Sequence, residues 1–171
     1  MQNLTTLKIT DDSGFIAIVN ADNYKSFVSE DWELSQLFNH FVDEINNDNL
    51  ILWSTGSANV WTISFVAKQS DKLSFREFHK TIEVTNDRLF LTNYEDLTMA
   101  AQYEDERIPA NHNVDLYLQI DNGRHNFKIR QLFDPEDYEY DPKEKVNFEI
   151  VVQTEISKQA QQIDKVFWWT Q

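Results

Sequence analysis

Polar and apolar positions alternate with a period of two along much of the chain, the repeat of a strand with one face buried. Leu4–Thr10 and Phe15–Asn20 read as two short strands around the turn-forming Asp11-Asp12-Ser13-Gly14. Leu50–Ser54 and Val60–Lys68 read as strands around Thr55–Asn59, and Phe78–Val84 and Arg88–Leu91 as another pair around Asn86-Asp87. In Val114–Ile120 the residues Val114, Leu116, Leu118 and Ile120 alternate with Asp115, Tyr117 and Gln119. Asp121-Asn122-Gly123-Arg124 then predicts a hairpin, because Asn-Gly accepts the positive φ angles of a type I′ turn. The return strand is His125–Phe133, and Val146–Thr154 alternates as one more strand.

The period changes at Ser29–Asn47. Leu34, Leu37, Phe38, Phe41, Val42 and Ile45 form one apolar stripe at helical spacing. Ser29 is placed to cap that helix, with Glu30, Asp31 and Glu33 at the positive end of its dipole. Asn93–Tyr103 predicts a shorter helix, with Asn93 as N-cap and Glu95 and Asp96 in its first turn. Glu155–Lys165 has helical composition, whereas Val166-Phe167-Trp168-Trp169 is more strand-like. Most connections are too short for parallel crossovers, so antiparallel pairing is expected throughout. These elements predict one globular α+β domain over residues 1–171. About eight strands form a mainly antiparallel sheet, with one clear amphipathic helix near 29–47 and one or two short ones.

Composition narrows the chemistry. The chain has 171 residues, three glycines and no cysteine. Without clustered glycines there is neither a phosphate-cradling loop nor a dinucleotide fingerprint. Without cysteine there is no disulfide framework, thiolate zinc site, iron–sulfur cluster or thiol nucleophile. No apolar run approaches membrane-spanning length, and the first residues carry no signal-peptide pattern, so a cytoplasmic protein is expected. The four histidines form no HExxH motif, and Ser57 lacks a GxSxG elbow. Glu77, His79, Thr81 and Glu83 share one face of a strand, read as solvated. His125 shares a phase with Phe127 and Ile129 and reads as a satisfied, partly buried side chain. No catalytic residue, metal site or cofactor is expected.

Charge points to a partner. Of the net −14, the segments Phe27–Asp48, Asp87–Glu106 and Asp134–Glu144 carry −6, −5 and −5, together −16, so the remainder is +2. That concentration disfavours direct contact with nucleic acid or an anionic membrane and favours a basic protein. The third segment, with Lys145 after it, reads DPEDYEYDPKEK over Asp134–Lys145. Asp134, Glu136, Asp137, Glu139 and Asp141 are hard oxygen ligands, but the segment has no mid-loop glycine and prolines stiffen both ends, unlike a calcium loop. The segment reads either as a plain solvated loop or as a protein interface, which Tyr138 and Tyr140 among these acids would suit. Tyr103, Glu104, Asp105 and Glu106 form a second candidate patch.

In size, acidity, aromatic content and lack of catalytic motifs the chain resembles bacterial toxin immunity proteins. That resemblance implies a non-enzymatic inhibitor that neutralises a cognate toxin, with a basic toxin or effector domain as partner. It assigns no residue. Two other classes are compatible with the same residues. One is a DNA mimic or regulator that blocks a nucleic-acid-binding protein, which needs carboxylates spaced like phosphates. The other is a ligand-binding β protein or enzyme, which needs an open apolar pocket.

Overall fold

Strands of like character have sorted into two stacked sheets. The computed structural model describes residues 3–153 and 162–170. The outer sheet has the order β1–β4–β9–β8–β5 and comprises β1 (Asn3–Asp11), β4 (Asn59–Val66), β5 (Arg76–Val84), β8 (Gly123–Gln131) and β9 (Phe148–Gln153). The inner sheet has the order β3–β2–β6–β7 and comprises β2 (Phe15–Val19), β3 (Leu50–Ser54), β6 (Arg88–Asn93) and β7 (Tyr117–Gln119). The helices α1 (Leu34–Asn46) and α2 (Tyr94–Gln102) cover the free face of the inner sheet.

β2 and β3 are apolar at almost every position, so they need cover on both faces. Ile16, Ile18, Ile51 and Trp53 point at the outer sheet and meet Ile9, Trp61, Ile63, Phe65, Phe127, Phe148 and Ile150. Ala17, Val19, Leu50 and Leu52 point the other way, into Leu37, Phe38, Phe41 and Ile45 of α1 and Leu97 and Ala100 of α2. The outer-sheet strands alternate, and their second face is polar.

This sorting corrects the expected pairings. Each of the four strand–turn–strand units runs from one sheet to the other. β1 pairs with β4, β2 with β3 and β6, β5 with β8, and β6 with β7. The Asn-Gly turn between β7 and β8 is therefore a sheet crossing, not a hairpin. Turn chemistry reverses the chain, but burial on one face or two decides the partner. β4 and β9 run parallel, the exception to antiparallel pairing. Among the described residues there are nine strands, in keeping with the expected number of about eight.

α1 begins at Leu34, not Ser29. Glu33 and Gln36 form a reciprocal capping box, and Val28 and Ser29 donate their backbone N–H groups to Ala101 O at 2.9 and 3.2 Å. That anchor keeps the preceding residues out of the helix, so Glu30 and Asp31 form a turn ahead of it. α2 matches expectation: the Asn93 side chain accepts from Asp96 N at 2.9 Å. Val166–Trp169 contributes one parallel bridge, Phe167 to Trp53, rather than a strand. Most of the expected helix over 155–165 lies outside the described residues.

The chain traces the same path twice. β1–β2–α1–β3–β4 and β5–β6–α2–β7–β8 each place their outer strands in one sheet and their inner strands in the other, with a helix between the inner pair. The strand order of the halves mirrors about the β2–β6 seam, and β9 fills the gap between β4 and β8. Even the turn contacts repeat: Thr55 N donates to Gly14 O at 2.8 Å, and Ile120 N to Asp87 O at 3.0 Å.

On the polar face of the outer sheet, residues 67–75 form a strap. Beneath it Arg130 NH1 pairs with Glu149, while Ser70 N donates to Glu149 Oε1 at 3.1 Å. Glu77 sits beside this pair, 3.3 Å from Lys128 Nζ and 3.4 Å from Arg130 Nε, and accepts from Ser74 Oγ at 2.9 Å. Burial alone would raise its carboxyl, but the donors Ser74, Lys128 and Arg130 outweigh burial and hold it below the usual glutamate value. A depressed folded value contributes stability above the unfolded value, and that stability is lost as pH falls through the folded one. Glu77→Gln should therefore show a flatter fall in unfolding free energy than the native chain as pH drops below about 4.3. Urea titrations at several pH values check this, and parallel curves would refute it.

Candidate binding surface

The acidic loop 134–144 leaves the outer sheet after β8 and returns at β9, at the end of the sandwich where β1 passes to β2 and β3 to β4. Its base is a column of rings. Trp61 stacks on Phe133 with centroids 4.8 Å apart, and Phe133 on Tyr140 at 4.7 Å and 7°. Lys145 Nζ lies 4.8 Å from the Tyr140 centroid. Asn147 Nδ2 donates to the Tyr140 hydroxyl at 2.7 Å, and Asn147 Oδ1 accepts from Thr62 N at 2.7 Å. Burial raises the Tyr140 phenol above its ordinary value, and the Asn147 donor offsets this only in part. Tyr140 is thus an anchor. Tyr138, two residues earlier, is fully exposed.

Three of the loop's aspartates shape it. Asp134, Asp137 and Asp141 each accept, through Oδ1, the backbone N–H two residues on, at 2.9, 3.0 and 3.0 Å. These successive Asx turns make the protrusion a built element. Pro135 packs against the β3–β4 crossing, where Gly56 has φ 90° and a Cβ would lie 2.5 Å from the Pro135 Cβ. Glu136, Asp137, Tyr138, Glu139 and Asp141 face solvent.

The second patch stands on a different support. Tyr103, Glu104, Asp105 and Glu106 follow α2 and are exposed. Gln102 Nε2 donates to Glu30 O at 3.2 Å, bringing the acids ahead of α1 beside those after α2. Two of the three acidic segments therefore meet on the helical layer, while 134–144 rises from the end of the sandwich.

Several acids counted in those segments face inward. Glu44 accepts from Lys25 N at 2.6 Å and Asn49 Nδ2 at 2.8 Å. Asp48 pairs with Lys80 at 2.7 Å and Arg124 at 3.1 Å. Asp96 accepts from Asn113 Nδ2 at 2.6 Å and lies 3.2 Å from His112 Nε2. The outward charge is accordingly narrower than the sequence total suggests. His79 is exposed on the polar sheet face, and His125 is buried with its Nε2 2.8 Å from Asp121 O. Among the described residues, no three or more His, Asp or Glu side chains converge as a cation site, and no helix is long and apolar enough to cross a membrane.

A feature not legible in the sequence lies beside the loop. A groove of about 510 Å³ is lined by the Asp12–Phe15 turn, the Ser54–Ala58 crossing, Arg76, Glu136 and the C-terminal Trp168 and Trp169. The Arg76 guanidinium lies 4.3 Å from the Trp168 ring, and Trp169 stacks on Phe38 at 4.0 Å. The one sequence signal is the Trp-Trp pair itself, whose composition suggests a strand. Its neighbours come from four separate parts of the chain.

No family model matches the chain, and no curated protein matches it by sequence. Among solved structures it is similar to one described as crocagin biosynthetic gene J, with a TM-score of 0.57 and 10% identity over 86% of this chain and 94% of that one. It also aligns with ComJ of Bacillus subtilis, described as an inhibitor of the DNA-degrading activity of NucA, with a TM-score of 0.49 and 8% identity over 88% and 96% of the two chains. The first likeness establishes a shared fold. What ComJ inhibits is a property of ComJ.

Proposed function

We propose that this protein is a stoichiometric inhibitor that occludes a basic cleft on a partner protein, in the manner of an immunity protein neutralising a toxin domain. The acidic loop carries this reading: a protrusion held by its own ring column, with a fully exposed Tyr138 among exposed carboxylates. A rigid acidic projection loses little entropy on docking and steers a cationic partner by charge. Tyrosine supplies contact area at small conformational cost. Catalysis has no comparable support, and the aromatic interior that a ligand-binding β protein would keep open is packed ring on ring, as where Trp53 and Trp61 both meet Phe148 at 5.9 and 5.7 Å.

The test is capture of the partner from the native organism with the purified chain. It is repeated with Asp137→Asn, Glu139→Gln and Asp141→Asn combined. Asparagine retains the Asx-turn acceptors, so the loop keeps its shape while losing three charges. Partner affinity should fall at least tenfold and the association rate should lose its salt dependence. A partner that binds the neutralised loop equally well would remove this loop from the interface.

A further inference from the structure

We propose that the groove beside the loop receives an arginine side chain of the partner, stacked on the tryptophans and paired with Asp12 and Glu136. This rests on the binding reading above and names the chemistry of its central contact. The groove and the loop share a wall, since Glu136 belongs to both.

Charge and use distinguish the two carboxylates. Asp11, Asp134, Asp137 and Asp141 are committed to turns. Asp12 and Glu136 are exposed, and among the described residues neither side chain has a hydrogen bond or ion pair. They line a groove whose one cation, Arg76, is already committed: its Nε donates to Gln131 Oε1 at 2.7 Å and its NH2 to Ser54 O at 3.2 Å. The charge left over is negative.

The aromatic side of the groove is fixed in place. Trp168 has φ 64°, a backbone state bulky residues avoid, so tertiary contacts hold it there. Trp168 meets Phe78 edge-on at 4.9 Å, Phe167 stacks on Phe78 at 3.8 Å, and Trp169 is stacked on Phe38. All three C-terminal rings are locked, yet Trp168 and Trp169 remain partly exposed in the groove. The Arg76–Trp168 contact already shows a guanidinium on this indole. A guanidinium is planar and weakly hydrated, so it gains more than an ammonium from an indole face flanked by carboxylates. Aromatic–arginine contacts in partly enclosed pockets dominate many protein interfaces.

The probe is a blocked tri-arginine peptide titrated into the full chain at low salt, with blocked tri-lysine alongside. The indole N–H resonances of Trp168 and Trp169, assigned with Trp168→Phe and Trp169→Phe, should shift with tri-arginine. Asp12→Asn with Glu136→Gln should weaken binding about fivefold or more, and the charge-matched Asp105→Asn with Glu106→Gln less than about twofold. Tri-lysine should bind more weakly than tri-arginine. Equal losses from both variant pairs would show general attraction to an acidic chain and overturn the proposal. So would unmoved indole resonances, equal binding of tri-lysine, or no binding. Failure here is separable from failure of the inhibitor reading. A captured partner indifferent to Asp12→Asn with Glu136→Gln, yet lost on neutralising 137, 139 and 141, sinks the groove alone. Indifference to both variants sinks both.

Discussion

Replacing Asp11 by alanine is expected to lower the unfolding free energy by about 3–5 kcal/mol. The Asp11 carboxylate is 1% exposed and has five donors. Oδ1 accepts the backbone N–H groups of Ser13, Gly14 and Phe15 at 3.3, 2.7 and 3.0 Å. Oδ2 accepts from the Thr55 hydroxyl at 2.6 Å and from Trp61 Nε1 at 2.8 Å. One side chain therefore ties the β1–β2 turn to the β3–β4 crossing and to the foot of the ring column. Alanine leaves the Trp61 N–H and the turn's backbone N–H groups without this acceptor, some of them beyond the reach of water, while the Thr55 hydroxyl still has Ser57 O at 2.8 Å. Asp11→Asn should fall between the two. Its carbonyl still serves the turn, but its amide then faces the Trp61 N–H, donor against donor, at a cost of about 1–3 kcal/mol. Urea denaturation followed by tryptophan fluorescence gives both numbers. An alanine variant within about 1 kcal/mol of the native chain would show that water replaces the carboxylate.

The second large effect concerns the strap. Arg130 and Glu149 side chains are 3% and 4% exposed. The Arg130 NH2 donates to the Lys72 carbonyl, so the pair also supports the strap's backbone. Glu149→Ala leaves a buried guanidinium with Glu77 as its remaining carboxylate. The expected loss is about 3 kcal/mol, the low end of the range for breaking a buried pair. Residues 67–75 should become protease-sensitive at the same time. Arg130→Met combined with Glu149→Leu removes both charges and should recover most of the loss, since desolvating two ions offsets much of their attraction. A double variant as unstable as the single would show that the cost lies in packing or the strap's hydrogen bonds rather than in an unpaired charge.

Local pattern carried the elements further than it carried their arrangement. The α2 cap at Asn93 was readable because a side-chain acceptor three residues before its donor is a local fact. The start of α1 was not: Ser29 has cap chemistry, but its backbone N–H is taken by Ala101, far along the chain. The turns between strands were recognisable, but the two pairings read from them, Phe78–Val84 with Arg88–Leu91 and the Asn-Gly hairpin, failed, because a turn such as Gly123 reverses the chain identically for a hairpin or a sheet crossing. The doubly apolar runs at 16–19 and 50–53 held the missing information, since strands buried on both faces belong in the middle layer. Charge was readable only as a sum over each segment. That Glu44, Asp48 and Asp96 turn inward depends on partners such as Lys80 and Asn113, which sequence does not bring near. The groove was invisible for the same reason.

The repeated strand–helix path has a consequence for where a binding site can arise. Two facing copies of a ββαββ unit, joined across an antiparallel β2–β6 seam, have the topology that fusing a symmetric homodimer would produce. Such an ancestor offers two equivalent crevices, one at each end. Both are still traceable: Phe15 and Ser54 face each other across β2–β3 at one end, as Arg88 and Gln119 do across β6–β7 at the other. Only the first carries the acidic loop and the C-terminal tryptophans, both of which follow β8 in the chain. A fused dimer can let its two ends diverge, and here the added segments line one crevice and leave its twin with the plain turn.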